Sequence, residues 1–238
     1  MAEFSNILRV GIYLDGGYLQ AISNYYYYET SRHTRIRVAG IQEYCRAYLS
    51  REYGRPPSQI AITEAHWYKV RMDKGRDKDR GRLRGVASND SEQIQKERAF
   101  ENHLIRLGYR IHYIGPYQAE AYTCATHLAM DCYDHAQLRR FDVCFLLVYR
   151  IEMLPLLNRL VALGIPVYVL VWNISSASFS LHNSLALVPQ VDAHFLPMND
   201  IVDGADSDEM TPMVDGLFLS SEYGDHSDTP TQNFVLAG

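Results

Sequence analysis

RVGIYLDGGYL, residues 9–19, is the stretch that best predicts the fold. An apolar run reaches Asp15, and Gly16 and Gly17 then allow the backbone to turn sharply. This pattern predicts a buried strand that ends at Asp15 and leads directly into the next element. Open α/β sheets build their sites at the carboxyl ends of parallel strands. Asp15 therefore has two interpretations, as the cap of the following helix or as part of a functional site.

The rest of the chain alternates between strand and helix patterns. Strands are predicted at residues 61–70, 109–114, 143–148 and 165–172, and helices at 41–48, 90–107, 119–140 and 153–163. Gly108 and Gly164 follow two of these helices, where a C-terminal cap belongs. Strands that are apolar throughout are typical of a parallel sheet covered on both faces. The sequence therefore predicts an α/β fold with a central, mainly parallel sheet between two layers of helices.

Length and composition indicate one soluble domain with an appendage. The chain has 238 residues, 47% of them hydrophobic, and no apolar run long enough for a membrane span. Residues 1–6 show no signal peptide, which predicts a cytoplasmic protein. The cysteines lack C-x-x-C spacing, so we expect buried free thiols rather than disulfides or a zinc site. They are Cys45, Cys124, Cys132 and Cys144.

Charge is distributed unevenly along the chain. Residues 198–238 contain nine acids and no lysine or arginine, so the preceding residues hold all 23 basic residues against 19 acids, a net charge of +4. A basic body accepts a polyanionic partner, and an acidic tail can compete for the same surface or bind a protein partner. We therefore predict a domain at residues 1–198 and an acidic, flexible tail at 199–238.

Basic residues are concentrated in a loop predicted at residues 71–90. Its glycines and its near lack of apolar residues predict a solvated segment. One interpretation is a solubilising insertion, and the other is an arm that binds RNA phosphates. In the second interpretation the RNA-binding residues are Arg71, Lys74, Arg76, Lys78, Arg80, Arg82 and Arg84.

Five stretches between residues 7 and 198 resemble, in order and spacing, the LabA-like NYN family of PIN-like nucleases. They are VGIYLDGGYL, ERAFENHLIRLGYRIHYIGP, THLAMDCYDHA, FDVCFLLVYRIEMLPLLNRLVALGIPVYVL and NSLALVPQVDAHFLPM. The resemblance implies a PIN-like three-layer fold whose parallel sheet gathers acids around a divalent metal at its carboxyl edge. It also implies cleavage of RNA.

The family's acidic motifs are only partly present. The resemblance places Asp15 and Asp131 on family acids, but Ala125 stands where another Asp is usual. Arg150 and Glu152 stand in place of two further aspartates. The implied ligands for Mg²⁺ or Mn²⁺ are Asp15, Asp131 and Glu152, and Arg150 joins them as a candidate catalytic residue. Because arginine keeps its proton, these four side chains carry −2 rather than −4.

Three functions follow, and the sequence leaves them open. The first is an NYN domain with weak or lost catalysis that binds RNA or a protein partner. The second is an active Mg²⁺- or Mn²⁺-dependent endoribonuclease that uses Asp15, Asp131 and Glu152. The third is a structural or assembly subunit, and a homo-oligomer is open in each case.

A smaller signal is the recurrence of His127, Asp131 and His135 every four residues on one helical face. This spacing could support a metal ion. The sequence shows no second group to complete such a site, which favours a helix surface with one pocket acid.

Overall fold

The computed structural model describes residues 7–70, 89–115, 121–175, 180–187, 192–204 and 211–218, with backbone only at 89–94, 121–123 and 211. The main strands are β1 (Leu8–Asp15), β2 (Ile60–Val70), β3 (Arg110–Ile114), β4 (Val143–Leu147), β5 (Val167–Val171) and β8 (His194–Pro197). Two short strands, β6 (Ile174–Ser175) and β7 (Ser180–Leu181), form an antiparallel pair. The helices are α1 (Gly16–Tyr28), α2 (Val38–Tyr53), α3 (Asn89–Arg106), α4 (Ala121–Gln137), α5 (Leu154–Ala162), α6 (Met198–Asp203) and α7 (Thr211–Asp215).

The six main strands form one parallel sheet in the order β3-β2-β1-β4-β5-β8. One face packs against α1, α2, α3, α6 and α7, and the other packs against α4 and α5. The predicted three-layer α/β/α fold is confirmed. Because β1 and β4 are neighbours and Leu14 pairs with Leu147, Asp15 and the residues that follow β4 lie at the same carboxyl edge.

Local sequence signals explain several element boundaries. Gly108 and Gly164 follow α3 and α5 with φ values of 84° and 71°, left-handed conformations that glycine adopts without strain. The prediction of a cap at these positions is confirmed. Gly16 begins α1 for a different reason, since a Cβ there would lie 2.5 Å from the Trp67 ring. The turn after β1 therefore needs a residue without a side chain.

The chain beyond residue 198 continues to pack on the body. Met198 and Val202 of α6 are buried, as are Val214 and Leu217 near α7. Phe218 is buried as well and forms a β-bridge with Ile36. The predicted boundary between domain and tail therefore lies too early for residues 199–204 and 211–218, because their apolar side chains complete the core. Residues 219–238 lie outside the described part of the chain.

All four cysteines are buried and free, as predicted. Cys132 on α4 and Cys144 on β4 have their Sγ atoms 3.7 Å apart. Burial raises the pKa of the Cys45 and Cys124 thiols, so both stay protonated at neutral pH. Across the described residues, no helix combines the length and the apolar character that crossing a membrane requires.

Candidate functional site

Asp15 is the N-cap of α1. Its Oδ1 accepts hydrogen bonds from the backbone N–H groups of Gly17 at 2.9 Å and Tyr18 at 3.1 Å. These bonds satisfy donors that the first turn of a helix otherwise leaves unpaired. Burial raises the pKa of Asp15, and the two backbone bonds and the charge of Arg150 only partly oppose that rise. The helix-cap interpretation is confirmed, and one carboxylate oxygen is committed to the backbone.

Arg150 lies at the same edge, three residues after the end of β4. Its Nε is 3.6 Å from Glu152 Oε2, and its Nη1 donates a hydrogen bond to the Tyr149 hydroxyl at 3.1 Å. The Arg150 side chain is 20% exposed, against 44% for Glu152. Because the charge of Arg150 also lowers the pKa of Asp15, it acts on two of the three predicted metal ligands. We call Asp15, Arg150 and Glu152 the carboxyl-edge group.

The backbone before Arg150 is held by a later segment of the chain. Asn183 Nδ2 donates to the Val148 carbonyl oxygen at 2.9 Å. Ser184 donates to the Tyr149 carbonyl oxygen from its backbone N–H at 2.9 Å and from its Oγ at 3.0 Å. These bonds fix the path of the chain from which the Arg150 side chain projects.

Asp131 of α4 contacts side chains of β2 and β3. The Tyr68 hydroxyl donates to its Oδ2 at 2.8 Å, and His112 Nδ1 lies 3.5 Å from the same oxygen. Tyr68 is on β2, where it pairs with Asp15 of β1, and His112 is on β3, where it pairs with Tyr68. The structure thus groups Arg150 with Asp15 and Glu152, whereas the contacts of Asp131 are to Tyr68 and His112.

Ala125, where the family resemblance implies an acid, is buried in the apolar layer between α4 and the sheet. The preceding residue, Cys124, lies close enough to Asp15 for the carboxylate to raise the pKa of its thiol, although burial is the larger cause. This part of α4 therefore reaches the carboxyl edge without adding a charge there. The seven basic residues from Arg71 to Arg84 that we predict to bind RNA lie outside the described residues.

A second polar group lies between β2 and α4, and the sequence did not predict it. Glu64 and His66 point from β2 toward His135 of α4, with one ligand atom from each side chain within 4.8 Å of the others. Glu64 and His66 are 6% and 0% exposed. We call Glu64, His66 and His135 the histidine cluster.

Polar contacts connect the histidine cluster to Asp131. His66 Nε2 lies 2.9 Å from Glu64 Oε2, and its Nδ1 lies 2.9 Å from His112 Nε2. His112 then reaches Asp131, which completes a chain of polar contacts from a buried glutamate to a carboxylate whose side chain is 37% exposed. On the other side, the Tyr13 hydroxyl lies 2.8 Å from His135 Nδ1, and the Tyr13 ring stacks on His66.

The charges of this region follow from their contacts. Burial raises the pKa of Glu64, but hydrogen bonds from His66 and Arg140 outweigh it, so the pKa is lowered and the carboxylate is ionised. Burial lowers the pKa of His66 to about 4, so that ring is neutral at pH 7. Burial also lowers the pKa of His135. The histidine cluster therefore presents a carboxylate and two neutral imidazoles, which are the protonation states that bind metal ions.

The sequence indicates which residues of the histidine cluster share a face of one element, but not that the two elements face each other. Glu64, His66 and Tyr68 alternate along β2, so they share one face, and Asp131 and His135 share one face of α4. The prediction of a helix surface without a second group missed the β2 residues that complete it. The opposition of β2 and α4 depends on strand order and helix placement, which local patterns do not contain.

Comparisons with known proteins add little to this geometry. No protein-family model matches the chain, and no curated protein matches it. Among solved structures, a protein of unknown function from Vibrio parahaemolyticus is similar over 92% of this chain and 100% of its own, with 13% sequence identity and a TM-score of 0.49. A likeness at this level supports no argument about function. The NYN resemblance rests on the sequence motifs.

Proposed function

We propose that the chain is an RNA-binding protein related to the metal-dependent NYN ribonucleases, with weak or lost cleavage activity. The observation that carries this proposal is Arg150, a largely buried cation at the carboxyl edge whose charge acts on Asp15 and pairs with Glu152. A divalent ion at this edge would meet a positive charge that cannot be removed by deprotonation.

The acids themselves also fit Mg²⁺ or Mn²⁺ poorly. Asp15 Oδ1 accepts two backbone hydrogen bonds, and Asp131 Oδ2 accepts one from Tyr68. Glu152 Oε2 faces Arg150. Hard cations require several free oxygen ligands, and metal-dependent hydrolysis requires the ion to activate water and neutralise phosphate charge. The oxygens of these three acids therefore favour weak metal binding and slow cleavage.

RNA is the proposed partner because of the distribution of charge. The residues before Met198 carry a net charge of +4, and seven basic residues lie between Arg71 and Arg84. Such a segment attracts a polyanion and releases counterions when it binds. The acids of the C-terminal segment compete for the same basic residues or bind a protein partner.

RNA binding can be tested by fluorescence anisotropy with a labelled single-stranded RNA. We expect affinity to fall steeply with salt, and neutralisation of the seven basic residues to flatten that dependence. Truncation after Phe218 keeps the packed residues of the body and removes the segment 219–238. We expect this truncation to tighten binding at low salt and to matter less at high salt, where the charges are screened. Absence of binding at low salt would contradict the proposal and favour a structural or assembly subunit.

Cleavage can be tested on the same RNA with Mn²⁺. The wild-type chain should cleave poorly, and Arg150→Asp combined with Ala125→Asp should raise the rate because it restores two acids. Arg159→Asp on the exposed face of α5 is the control for Arg150→Asp, since it makes the same arginine-to-aspartate charge change away from the edge. Strong, metal-dependent cleavage by the wild type that is abolished by Asp15→Asn would contradict the proposal and establish an active endoribonuclease.

A further inference from the structure

We propose that the histidine cluster, Glu64, His66 and His135, is a binding site for a transition-metal ion of the Zn²⁺ class. This inference stands on the geometry between β2 and α4, and it does not depend on the proposed function at the carboxyl edge. The ion would be held by Glu64 Oε2, His66 Nε2 and His135 Nε2, with the fourth position left to water or another ligand.

The spacing of the three side chains suits such an ion. Their ligand atoms lie within 4.8 Å of one another, and the Glu64–His66 pair is 2.9 Å apart. Tetrahedral zinc with bonds near 2.0 to 2.1 Å places its ligands about 3.4 Å apart. Small side-chain rotations therefore bring the three atoms to the required distances. The ion would join the middle of β2 to the last turn of α4.

Each imidazole has a partner that orients it for metal binding. The Tyr13 hydroxyl lies 2.8 Å from His135 Nδ1 and can accept the proton of that nitrogen, which makes Nε2 the ligand atom. His66 Nδ1 can donate to His112 Nε2, and His112 Nδ1 can donate to Asp131. Every proton in this chain then has an acceptor when His66 Nε2 binds the metal. A carboxylate that orients a metal-bound histidine through hydrogen bonds is a common feature of metal sites.

Two arginines set the charge balance. Arg140 Nη1 is 3.2 Å from Glu64 Oε1, which leaves Oε2 for the ion, whereas Arg110 Nη1 is 3.5 Å from Oε2 itself. The Arg110 side chain is 60% exposed, so its charge is largely hydrated and its pairing with Glu64 is weak. An ion at Oε2 would displace it. Arg110 therefore competes with the metal, and its removal should strengthen binding.

The ligand types select the class of ion. Imidazole nitrogens favour Zn²⁺, Co²⁺, Ni²⁺ and Cu²⁺, whereas Mg²⁺ favours an all-oxygen environment. A site with two imidazoles and one carboxylate should discriminate against Mg²⁺. The chain of polar contacts leads from the cluster to His112 and Asp131, which are 32% and 37% exposed.

The test uses the full chain after treatment with a chelator, with Zn²⁺ titrated by calorimetry and Co²⁺ followed by visible absorption. We expect one saturable site, tetrahedral Co²⁺ absorption bands, a higher Tm with Zn²⁺, and no binding of Mg²⁺ at this site. His135→Ala removes a half-buried ligand and should weaken Zn²⁺ binding by more than about 10-fold, and Glu64→Gln should do the same. His127→Ala, an exposed position two turns earlier on α4, is the matched control and should bind as wild type does.

Two further variants keep the proposal falsifiable if a ligand variant folds poorly. Tyr13→Phe removes only the hydroxyl beside His135 and should weaken binding by about 10-fold. Arg110→Ala should strengthen binding several-fold because it removes the competing cation. Zn²⁺ binding that survives both His135→Ala and Glu64→Gln in folded protein, or no saturable binding by the wild type, would overturn the proposal. Neither result would bear on cleavage at the carboxyl edge, which Asp15→Asn and Arg150→Asp test separately.

Discussion

The carboxyl-edge group, at the ends of β1 and β4, and the histidine cluster, between β2 and α4, differ in how their charges are arranged. At the carboxyl edge, Arg150 sits beside the acids and the free carboxylate oxygens are few. In the histidine cluster, a buried carboxylate faces two neutral imidazoles, and its arginines lie on the solvent side. The family resemblance implies a metal site at the carboxyl edge. The side chains of the histidine cluster, however, are better suited to bind a transition-metal ion.

The largest expected difference between the two regions concerns stability. Glu64→Leu leaves His66 Nε2–H without its acceptor in the core and should cost about 2 to 3 kcal/mol in the free energy of unfolding. The loss is no larger than this because Arg140 and Arg110 are exposed enough to be hydrated when Glu64 is removed. Glu152→Leu removes an exposed ion pair and should change the free energy by less than about 0.5 kcal/mol. Urea unfolding of chelator-treated protein measures the free energy of unfolding of both variants. Equal losses in the two variants would contradict the predicted difference between the two regions.

The next prediction separates the structural role of Asp15 from a role as a metal ligand. Asp15→Ala removes the cap of α1 and should cost about 1 kcal/mol, whereas Asp15→Asn keeps an acceptor and should cost a few tenths of a kcal/mol, by roughly the usual range for caps. Thermal unfolding with and without Mn²⁺ measures these losses. If the loss in Asp15→Asn grows strongly when Mn²⁺ is added to both proteins, Asp15 is binding the ion.

A smaller effect should appear in the pH dependence of unfolding between about pH 3 and 6, around the ordinary carboxyl pKa values. The raised pKa of Asp15 means that the unfolded chain releases this proton first, so Asp15 lowers stability as pH rises through the window. The lowered pKa of Glu64 has the opposite sign, so its contribution is present at high pH and is lost as pH falls. Relative to wild type, Asp15→Asn should therefore gain stability with rising pH and Glu64→Gln should lose it. Slopes of the same sign would contradict this comparison.

Much of the fold could be predicted from sequence because its signals are local. The strand that ends at Asp15, the glycine caps at Gly108 and Gly164, and the uniformly apolar β4 and β5 all lie within short windows. The packing of residues 211–218 could not be predicted in the same way. It depends on Ile36 and on Gly40, where a Cβ would lie within contact of the Gly216 carbonyl, and these positions are far apart in sequence.

In the candidate site, too, local features could be predicted from the sequence and long-range contacts could not. The positions of Asp15, Arg150 and Glu152 near one edge follow from strand ends, which patterns and the family resemblance indicate. The contacts of Asp131 do not follow from such patterns. Helical spacing places Asp131 on one face of α4, but it does not determine whether β1 or β2 is the neighbouring strand. The His66–His112 contact requires the register of β2 against β3, in which His66 pairs with Arg110 and Tyr68 pairs with His112. Register between parallel strands is a long-range property.

The most direct test of the central claim is a titration of the full chain with Mn²⁺, followed by calorimetry, for the wild type and for the Arg150→Asp, Ala125→Asp double variant. The positive charge of Arg150 beside the acids should repel a divalent ion. The wild type should therefore show no Mn²⁺ site at the carboxyl edge with a Kd below about 1 mM, and the double variant should gain one. Arg159→Asp should behave as wild type does. A wild-type Mn²⁺ site of higher affinity that Asp15→Asn removes would contradict the account.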